Sequence, residues 1–382
     1  MEGAAAGWPE PVVRVQSLSE SGAATIPARY VKPEAERPAS AAGEEEGGGG
    51  IPVVDLSSPA TARAVSEACR DWGFFQAVNH GVPGELLRRA RGAWRGFFRQ
   101  PMEVKQRYAN SPATYEGYGS RLGVEAGALL DWGDYYFLHV RPPHLCDPRK
   151  WPHLPPGLRR IGSSEELMYL RAYGRKTTEE YSREVAALCG RLLAAMSAGL
   201  GVGEARLREA FGGAEGAGVC VRVNYYPRCP QPELALGLSS HSDPGGMTVL
   251  LADDRVRGLQ VRRRGAWVTV DPVPDAFIVN VGDQIQVLTN ATYRSVEHRV
   301  VVNAADERLS VALFYNPRSD LPLAPMPELV SPDRPALYCP MTFDDYRMYI
   351  RRKGPRGKSQ VDSLKVADAV DADADADGRR CY

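Results

Sequence analysis

The spacing of apolar residues changes along the chain and divides it into a helical half and a β-rich half. Residues 84–110 and 177–200 carry apolar side chains every three to four positions, which is typical of helices that bury one face. Residues 60–70 predict a further, shorter helix. The apolar face of the 177–200 helix comprises Val185, Leu188, Cys189, Leu192, Leu193, Met196 and Leu200.

Between residues 218 and 316 the period shortens to two, because apolar and polar positions alternate in brief segments separated by turn residues. Such alternation is typical of strands. About eight short strands within roughly a hundred residues predict a sandwich or a jelly roll. The predicted strands are 219–226, 247–252, 259–262, 267–270, 277–281, 285–288, 295–302 and 309–315.

Shifts in composition mark the ends of the folded part. Residues 33–50 are rich in Pro, Ala, Glu and Gly and have too few apolar side chains to become ordered, whereas 8–18 and 26–30 have enough to pack on the rest of the protein. The C-terminal repeat of Ala and Asp predicts disorder. The predicted segments are an N-terminal extension with a Gly-rich linker (1–50), a helical N-terminal domain (51–215), a β core (216–318), a region with a C-terminal lid helix (319–357) and a disordered acidic tail (358–382).

The balance of charge argues against several classes of protein. The chain has 47 Lys and Arg residues against 47 Asp and Glu residues. A nucleic-acid-binding protein normally needs a basic face and a polybasic membrane anchor needs excess cations, so we expect neither partner. No stretch approaches the roughly 20 apolar residues of a membrane span. We also expect a monomer.

The cysteines and the N-terminal residues favour a cytoplasmic location. Seven cysteines form no C-x-x-C pair and no regular framework, so we expect reduced thiols. Residues 1–30 carry acidic side chains where a signal peptide has positive charge, and no apolar core follows them. The prediction is a cytoplasmic protein, with the nucleus as an additional location.

Three residues of the β-rich half are candidate metal ligands. His241 and Asp243 stand two positions apart, so on an extended segment they project from the same face. His298 lies on the predicted strand 295–302 of the same module. Two imidazoles and one carboxylate leave three open positions on a metal, as in non-haem Fe(II) oxygenases. A zinc hydrolase could use the same ligands, so these residues alone leave both metals open.

For the other four histidines, the sequence predicts structural or surface roles. His80 ends an apolar run, where a structural hydrogen bond is the favoured interpretation. His139, His144 and His153 lie in or beside a Pro-rich stretch, which predicts surface or turn positions.

One arginine of the last predicted strand is a candidate anion-binding residue. Arg308 and Ser310 share a face of this strand, and a guanidinium inside a β-barrel must be paired with an anion. A planar guanidinium beside a hydroxyl is suited to a carboxylate. The alternative is an ordinary salt bridge to Glu297 or Glu307.

Together these residues resemble a known family, the plant Fe(II)/2-oxoglutarate-dependent dioxygenases. The resemblance is carried by His241-x-Asp243, His298 and Arg308-x-Ser310, by the preceding NYYPRCP segment at 224–230, and by IPVVDL at 51–56 and WGFFQAVNHG at 72–81. It implies an α+β protein: a double-stranded β-helix core of the jelly-roll or cupin-like kind, a helical N-terminal domain and a C-terminal helix over the barrel mouth.

The resemblance also implies the cofactors and the residues that hold them. Fe(II) would be bound by His241, Asp243 and His298, which are therefore the expected catalytic centre. The cosubstrate 2-oxoglutarate would be held by Arg308, Ser310, Asn224 and Tyr226. Dioxygen is the second cosubstrate and ascorbate the expected reductant. The implied reaction hydroxylates a C–H bond of a substrate and yields succinate and carbon dioxide.

Within this family the chain most resembles the jasmonate-induced oxygenases, on the segments 115–122, 131–137, 241–247 and 341–347. This resemblance implies hydroxylation of jasmonic acid, a small carboxylic acid, to hydroxy-jasmonate, which lowers jasmonate signalling. The implied substrate-binding residues are Arg222, Phe343 and Arg347, with Phe314 as a further apolar group.

The positions of two arginines favour an acidic substrate, but other partners for these arginines stay open. Arg222 alternates with Asn224 and Tyr226 on one predicted strand, so it faces the expected iron centre. Arg347 stands four residues after Phe343 on a predicted helix, 343–352. The alternatives are that Arg222 pairs with a core Asp and Arg347 with Asp344.

Two other functions and one departure from the family pattern stay open. The chain could be a flavonoid or phenolic oxidase of the anthocyanidin-synthase type, or a non-catalytic scaffold that binds a small molecule. Residues 161–176 look like an insertion relative to the family. Three explanations are open: these residues extend the long helix, they form a loop on the surface, or they result from an error in the gene model.

Overall fold

The computed structural model describes residues 12–38, 50–110, 115–120, 127–152, 164–353 and 357–366. The helices of these residues are α1 Val15–Glu20, α2 Thr61–Asp71, α3 Gly84–Phe98, α4 Met102–Gln106, α5 Ser164–Gly199, α6 Arg206–Ala210, α7 Gly213–Gly216, α8 Asp283–Leu288, α9 Phe343–Lys353 and α10 Ser359–Asp362. The strands are β1 Val53–Asp55, β2 Phe74–Val78, β3 Gly117–Gly119, β4 Asp134–Arg141, β5 Gly218–Tyr226, β6 Leu238–His241, β7 Met247–Leu251, β8 Leu259–Arg263, β9 Ala266–Thr269, β10 Phe277–Val281, β11 His298–Val300, β12 Arg308–Asn316, β13 Pro322–Leu323 and β14 Met341–Thr342.

Two sheets form the β core. The larger has eight strands in the order β1-β2-β10-β7-β12-β5-β4-β3, and the smaller has four in the order β6-β11-β8-β9. Side chains of both sheets line one cavity of about 930 Å³. This arrangement is the jelly-roll core that the sequence predicts.

The alternation of β5 and β12 separates the cavity from the main hydrophobic core. The odd-numbered residues Val221 and Val223 of β5 and Val311 and Leu313 of β12 are fully buried in that core. The even-numbered positions, which face the opposite side, line the cavity. Successive side chains of a strand point to opposite faces, so the register of β5 on β12 decides both which residues enter the hydrophobic core and which line the cavity.

The helices α2, α3 and α5 pack on the outer face of the large sheet. Six of the seven residues predicted for the apolar face of the long helix, now part of α5, are buried in the main core, and Leu200 packs against it. α5 begins at Ser164, so residues 164–176 of the insertion lengthen this helix, and 161–163 lie outside the described residues. No helix of the described residues is both long and apolar enough to cross a membrane.

The N-terminal segment packs on the body as expected. Val15, Ile26 and Tyr30 form a small core with Trp132, while residues 8–11 lie outside the described part of the chain. The backbone N–H of Val15 donates to the Asp134 carboxylate at 2.9 Å.

The prediction of an unordered linker is wrong for residues 33–38, and 39–49 lie outside the described residues. The carbonyl of Glu36 accepts a hydrogen bond from the Arg299 guanidinium at 3.0 Å, which ties this stretch to β11. Composition did not predict this contact because the backbone supplies it, not an apolar side chain.

The predicted strand at 285–288 is wrong, since these residues belong to helix α8. A run of four residues is too short for its period to distinguish a buried strand from a buried helix. All six residues of α8 are buried, so the helix satisfies its own backbone groups where no neighbouring strand does. It starts after Gly282, where a Cβ atom would lie 2.3 Å from the carbonyl oxygen of Gly245.

The prediction of disorder from residue 358 is wrong for 358–366, and 367–382 lie outside the described residues. Val361 and Leu364 are buried against Tyr338 and Tyr346. The backbone of Gly357 pairs with the end of β6: its N–H donates to the carbonyl of Ser240 at 3.0 Å, and its carbonyl accepts from the N–H of Ser242 at 3.2 Å. Two apolar residues therefore dock a segment that composition assigned to the tail.

The expectation of reduced thiols holds for five cysteines and fails for one. The free thiols among the described residues are Cys69, Cys146, Cys189, Cys220 and Cys229. Cys339 is bonded in a disulfide.

Candidate functional site

The structure brings the three predicted metal ligands together at one end of the cavity. His241 is the last residue of β6 and His298 the first of β11, and the two are paired across the small sheet. The Nε2 atoms of His241 and His298 lie 3.6 and 3.7 Å from Oδ1 of Asp243. Ligand atoms of the three residues all lie within 4.8 Å of one another. We call these residues the triad.

Backbone carbonyls orient both imidazoles of the triad. Nδ1 of His241 lies 2.8 Å from the carbonyl oxygen of Ser239, and Nδ1 of His298 lies 3.2 Å from that of Val296. Because a carbonyl only accepts, each Nδ1 carries the hydrogen and each Nε2 keeps its lone pair. Both lone pairs are thus available to one metal ion.

The two oxygens of the Asp243 carboxylate also have different roles, since one is held by hydrogen bonds and the other faces the imidazoles. Its Oδ2 accepts hydrogen bonds from Thr248 Oγ1 at 2.5 Å and from Asn280 Nδ2 at 2.8 Å. Burial alone would raise the pKa of Asp243, but His298, His241 and these hydrogen bonds hold it well below its usual range. The carboxylate is therefore ionised, with Oδ1 directed at the imidazoles.

The pKa of His298 moves in the direction that ligation requires. Burial, followed by the neighbouring His241, lowers it to about 4, so the imidazole is neutral at physiological pH. Burial lowers the pKa of His241, but the hydrogen bond and charge of Asp243 raise it by more, so metal binding competes with a proton at this imidazole. With both imidazoles neutral and one carboxylate on the same face, the triad suits Fe(II), with the cavity on the open side.

A buried guanidinium lies on the cavity wall near the triad. Arg308 is 4% exposed, and its Nη1 lies 3.5 Å from the hydroxyl of Ser310. The guanidinium carbon is 5.4 Å from the ring centre of Tyr226, and Nε has no hydrogen-bond partner among the described residues. Burial lowers the pKa of this guanidinium, and Tyr226 and the charge of Asp253 offset the effect of burial only in part.

The salt bridges considered as alternatives for Arg308 are not formed. Glu307 instead accepts a hydrogen bond from the Tyr225 hydroxyl at 2.6 Å, and Glu297 accepts one from the Ser240 hydroxyl at 2.9 Å. Arg308 therefore has unused capacity to bind an anion within the cavity.

The cavity wall between this arginine and the mouth is built in rows across three strands. On β12 and β5, Ser310 pairs with Asn224, and Ala312 pairs with Arg222. The next pair toward the mouth is Phe314 with Cys220. β4 continues each row, and all these side chains line the cavity.

Arg222 is a second cation of this wall. It is half-buried, and its guanidinium carbon lies 4.4 Å from the ring centre of Tyr135. Its Nε has no hydrogen-bond partner, and none of the described acidic residues forms an ion pair with it. The alternative of a core aspartate is thus not observed among the described residues.

α9 supplies the remaining predicted residues at the mouth. Phe343 is buried, and both Phe343 and Arg347 line the cavity. Arg347 also forms the ion pair considered as its alternative, with Nη2 2.8 Å from Oδ1 of Asp344. The two side chains are 46% and 48% exposed, so solvent screens this pair.

Sequence reasoning missed several residues of the site. Thr248 and Asn280, which hold Asp243, are the polar positions of two otherwise apolar strands, and that contrast is a usable signal. Tyr135, Phe137 and His139 alternate along β4 and line the cavity. Their period of two was visible in the sequence, but the strand was not predicted.

The four remaining histidines have different outcomes. The prediction of a surface or turn position is wrong for His139, because the Pro-rich stretch begins only after the cavity-lining strand β4. It is confirmed for His144, which is exposed in a short turn, and His153 lies outside the described residues. The structural role of His80 is confirmed: its Nε2 lies 2.8 Å from the carbonyl oxygen of Asp275.

Two family models match the chain over its folded parts. The model described as the 2OG-Fe(II) oxygenase superfamily matches residues 217–317, which include the triad and Arg308. The model described as the non-haem dioxygenase in morphine synthesis N-terminal matches residues 51–154.

Relatives with similar sequences extend over nearly the whole chain. Jasmonate-induced oxygenase 2 of Arabidopsis thaliana is 55% identical over 365 residues, which cover 93% of this chain and 94% of the relative. Jasmonate-induced oxygenase 1 of the same plant is 54% identical over 364 residues, covering 93% and 87%. The crystal structure of JOX2 in complex with 2OG, Fe and JA superposes with a TM-score of 0.85 at 55% identity, covering 94% of this chain and 100% of that one.

Proposed function

The chain belongs to the 2-oxoglutarate- and Fe(II)-dependent oxygenases, in the group of the jasmonate-induced oxygenases, and from this premise we propose that it hydroxylates jasmonic acid and so lowers jasmonate signalling. One observation carries the choice of substrate. The cavity wall holds two guanidiniums without an acidic partner among the described residues, Arg308 and Arg222. One serves the carboxylate of 2-oxoglutarate, and the other requires a second small acid.

The triad residues hold the iron in this proposal. His241 and His298 contribute Nε2 and Asp243 contributes Oδ1, because their other polar atoms are occupied by carbonyl, hydroxyl and amide groups. When bound, Fe(II) with 2-oxoglutarate and dioxygen supplies the oxidation that converts a C–H bond to C–OH and releases succinate and carbon dioxide. Ascorbate is the reductant that keeps the iron in its Fe(II) form.

The buried end of the wall binds the cosubstrate. Arg308 and Ser310 meet the far carboxylate of 2-oxoglutarate through charge-assisted hydrogen bonds. Asn224 and Tyr226 lie on the neighbouring strand, where each is paired with one of these residues, and they complete the contact. Since this pocket is deeply buried, the cation and the carboxylate neutralise each other away from water.

The outer part of the cavity binds the substrate. Arg222 meets the carboxylate of jasmonic acid, and Arg347 adds a second positive charge at the mouth. Phe314 and Phe343 provide apolar surface for the ring and the pentenyl tail, and they keep water away from the reacting carbon. The fixed distance between Arg222 and the triad selects which part of the substrate reaches the iron.

Product analysis tests this function. The purified chain is incubated with Fe(II), ascorbate, 2-oxoglutarate and jasmonic acid, and hydroxy-jasmonate and succinate are quantified. We expect the two products in equal amounts. Hydroxylation of a flavanone in place of jasmonic acid would identify a flavonoid oxidase, and no substrate-stimulated succinate from either compound would identify a binding scaffold.

Arg222→Met provides the matched variant. It keeps most of the apolar stem but removes the cation, so we expect jasmonic acid hydroxylation to fall by at least about tenfold while 2-oxoglutarate is still decarboxylated without coupling. Unchanged kinetics with jasmonic acid would contradict the carboxylate anchor.

We further propose that the enzyme is a monomer. The exposed large apolar residues among those described are Val13, Val53, Leu129, Leu145, Leu337, Met348 and Val366. Leu337 and Val366 are neighbours joined by a backbone hydrogen bond, and Leu145 and Met348 line the cavity. Seven exposed apolar side chains are few for a chain of this size, which does not favour one large contact surface. Sedimentation at micromolar concentration tests this: a species of twice the 41.7 kDa chain mass would contradict it.

A further inference from the structure

We propose that His139 is a specificity-determining residue whose imidazole Nε2–H donates a hydrogen bond to the ketone oxygen of the substrate. This inference rests on the proposed function, because it concerns the same cavity and the same substrate. It adds a second polar contact, directed at a neutral group, to the contact between Arg222 and the carboxylate.

The position of His139 follows from the register of three strands. On β4 and β5, Phe137 pairs with Arg222 and His139 pairs with Cys220. Two residues along a strand span about 7 Å, so the row that contains His139 lies that distance from the row of the anchoring arginine, toward the mouth. Both rows line the same cavity.

A buried thiol fixes the tautomer of the imidazole. The Sγ atom of Cys220 lies 3.3 Å from Nδ1 of His139. Burial raises the pKa of the Cys220 thiol to about 12, so the sulfur keeps its hydrogen. Burial, followed by the charge of Arg347, lowers the pKa of His139 to about 4, so the ring is neutral.

A neutral ring beside a protonated thiol has one favoured arrangement. Sulfur is a poor acceptor, whereas the imidazole lone pair is a good one, so Cys220 donates to Nδ1 of His139. The ring hydrogen is then on Nε2. This atom has no hydrogen-bond partner among the described residues.

The surroundings of the imidazole give this N–H group its selectivity. The ring of Phe137 stands edge-on to the imidazole at 5.1 Å, and Phe314 is paired with Cys220 in the same row. An N–H group among aromatic rings is left without a partner when a purely aliphatic substrate fills the cavity. A site built to bond a polar group of the substrate rejects analogues that lack this group.

Jasmonic acid has the two acceptors that this wall requires. Its acetate side chain and its ketone are attached to the same five-membered ring, two carbons apart. The charged acceptor suits the guanidinium of Arg222, and the neutral acceptor suits the neutral His139. A fatty acid or an aromatic acid without the ketone would satisfy the arginine alone.

The test combines one variant with two substrates. His139→Leu removes the N–H and keeps an apolar side chain of similar size. We expect kcat/KM for jasmonic acid to fall about 10- to 50-fold, and kcat/KM for the analogue with CH₂ in place of the ketone to change by less than about twofold. Equal losses on both substrates, or no loss on jasmonic acid, would overturn the role of His139.

The unsubstituted chain separates this inference from the proposed function. If it does not hydroxylate jasmonic acid, the proposed function fails and the inference fails with it. If it does, and the loss in His139→Leu does not depend on the ketone, only the inference fails. Thermal unfolding and uncoupled 2-oxoglutarate decarboxylation are recorded for both proteins to detect a damaged fold.

Two substitutions of Cys220 test how the imidazole is held. Cys220→Ser keeps a hydrogen-bond donor beside Nδ1 of His139, and we expect kcat/KM for jasmonic acid to stay within about twofold. Cys220→Val removes the donor at similar volume and releases the tautomer, so we expect a loss of about three- to fivefold that the ketone-free analogue does not show. A larger loss for Ser than for Val would overturn this positioning role.

Discussion

The two ends of the cavity are built in different ways. At the inner end, formed by the triad and Arg308, each triad side chain is fixed by a hydrogen bond to a backbone carbonyl or to a buried polar group. At the outer end, formed by Phe343 and Arg347 of α9, the cation is half exposed and already paired with Asp344. One end has a single arrangement, and the other has side chains that can exchange partners.

This difference separates the chemistry from the choice of substrate. Preorganised groups that need no rearrangement are most effective where a reaction occurs. A cation that leaves one carboxylate for another contributes only the difference between two similar interactions. We therefore expect substitutions at the inner end to cost more than a substitution of the exposed cation on α9, and four predictions test that comparison.

The largest effect is expected for His241→Ala. Loss of one imidazole leaves two ligands, and substitutions outside the ligand shell already cost roughly 10- to 100-fold in metal affinity or activity. We expect hydroxylation to fall by more than about 100-fold and iron to be lost during gel filtration. Iron content by mass spectrometry and product analysis are the measurements, and a variant that keeps stoichiometric iron would contradict the proposed ligand set.

Arg308→Met should come next. A hydrogen bond to a charged group contributes about 1.5 to 3 kcal/mol, which corresponds to a rise of roughly 10- to 100-fold in the KM for 2-oxoglutarate. At saturating 2-oxoglutarate we expect kcat within about threefold of the original. Arg308→Lys serves as the control and should recover part of the affinity. If instead the KM for jasmonic acid rose and that for 2-oxoglutarate did not, the two arginines of the wall would have exchanged roles.

Asn280→Ala tests the support of the metal ligand. It removes the amide that donates to Oδ2 of Asp243 at 2.8 Å, while all three triad residues remain. We expect iron affinity to fall about tenfold, the lower end of the range for such groups, because Thr248 still donates to the same oxygen. A titration with Fe(II) under anaerobic conditions measures this. No change in affinity would mean that backbone geometry alone positions Asp243.

The smallest effect is expected for Arg347→Met. Because this guanidinium is 46% exposed and has Asp344 as a partner, we expect the KM for jasmonic acid to rise only about two- to fivefold. The contribution should also shrink as salt is raised from 50 to about 500 mM, since screening acts on exposed charges. A loss as large as that of Arg222→Met would show that the mouth is as preorganised as the wall.

The sequence was most informative where the alternation of side chains along a strand is enough to assign each residue to one face. Alternation along β5 and β12 was enough to assign Arg222, Asn224, Arg308 and Ser310 to one face, and the register of the two strands agrees. The triad followed from spacing, because two of its residues are neighbours on one extended segment. Fold class and candidate site could therefore be predicted from local patterns and the family resemblance.

What the sequence did not predict depends on contacts between distant segments. His139 lines the cavity because β4 pairs with β5, and no local pattern encodes which strand is its neighbour. The segment 357–366 is ordered because Val361 and Leu364 meet Tyr338 and Tyr346, a packing that composition does not reveal. The sequence allows an ion pair between Arg347 and Asp344, and only the structure shows that it forms.

The pairing of Gly357 with the backbone on either side of His241 has a consequence for protein synthesis. A nascent chain folds from its N-terminus, and β6, β11 and the whole triad are translated before residue 357. Until that glycine leaves the ribosome, the backbone groups of Ser240 and Ser242 lack their partner. The strand that bears His241 therefore gains its second backbone neighbour only after every residue of the triad has been translated.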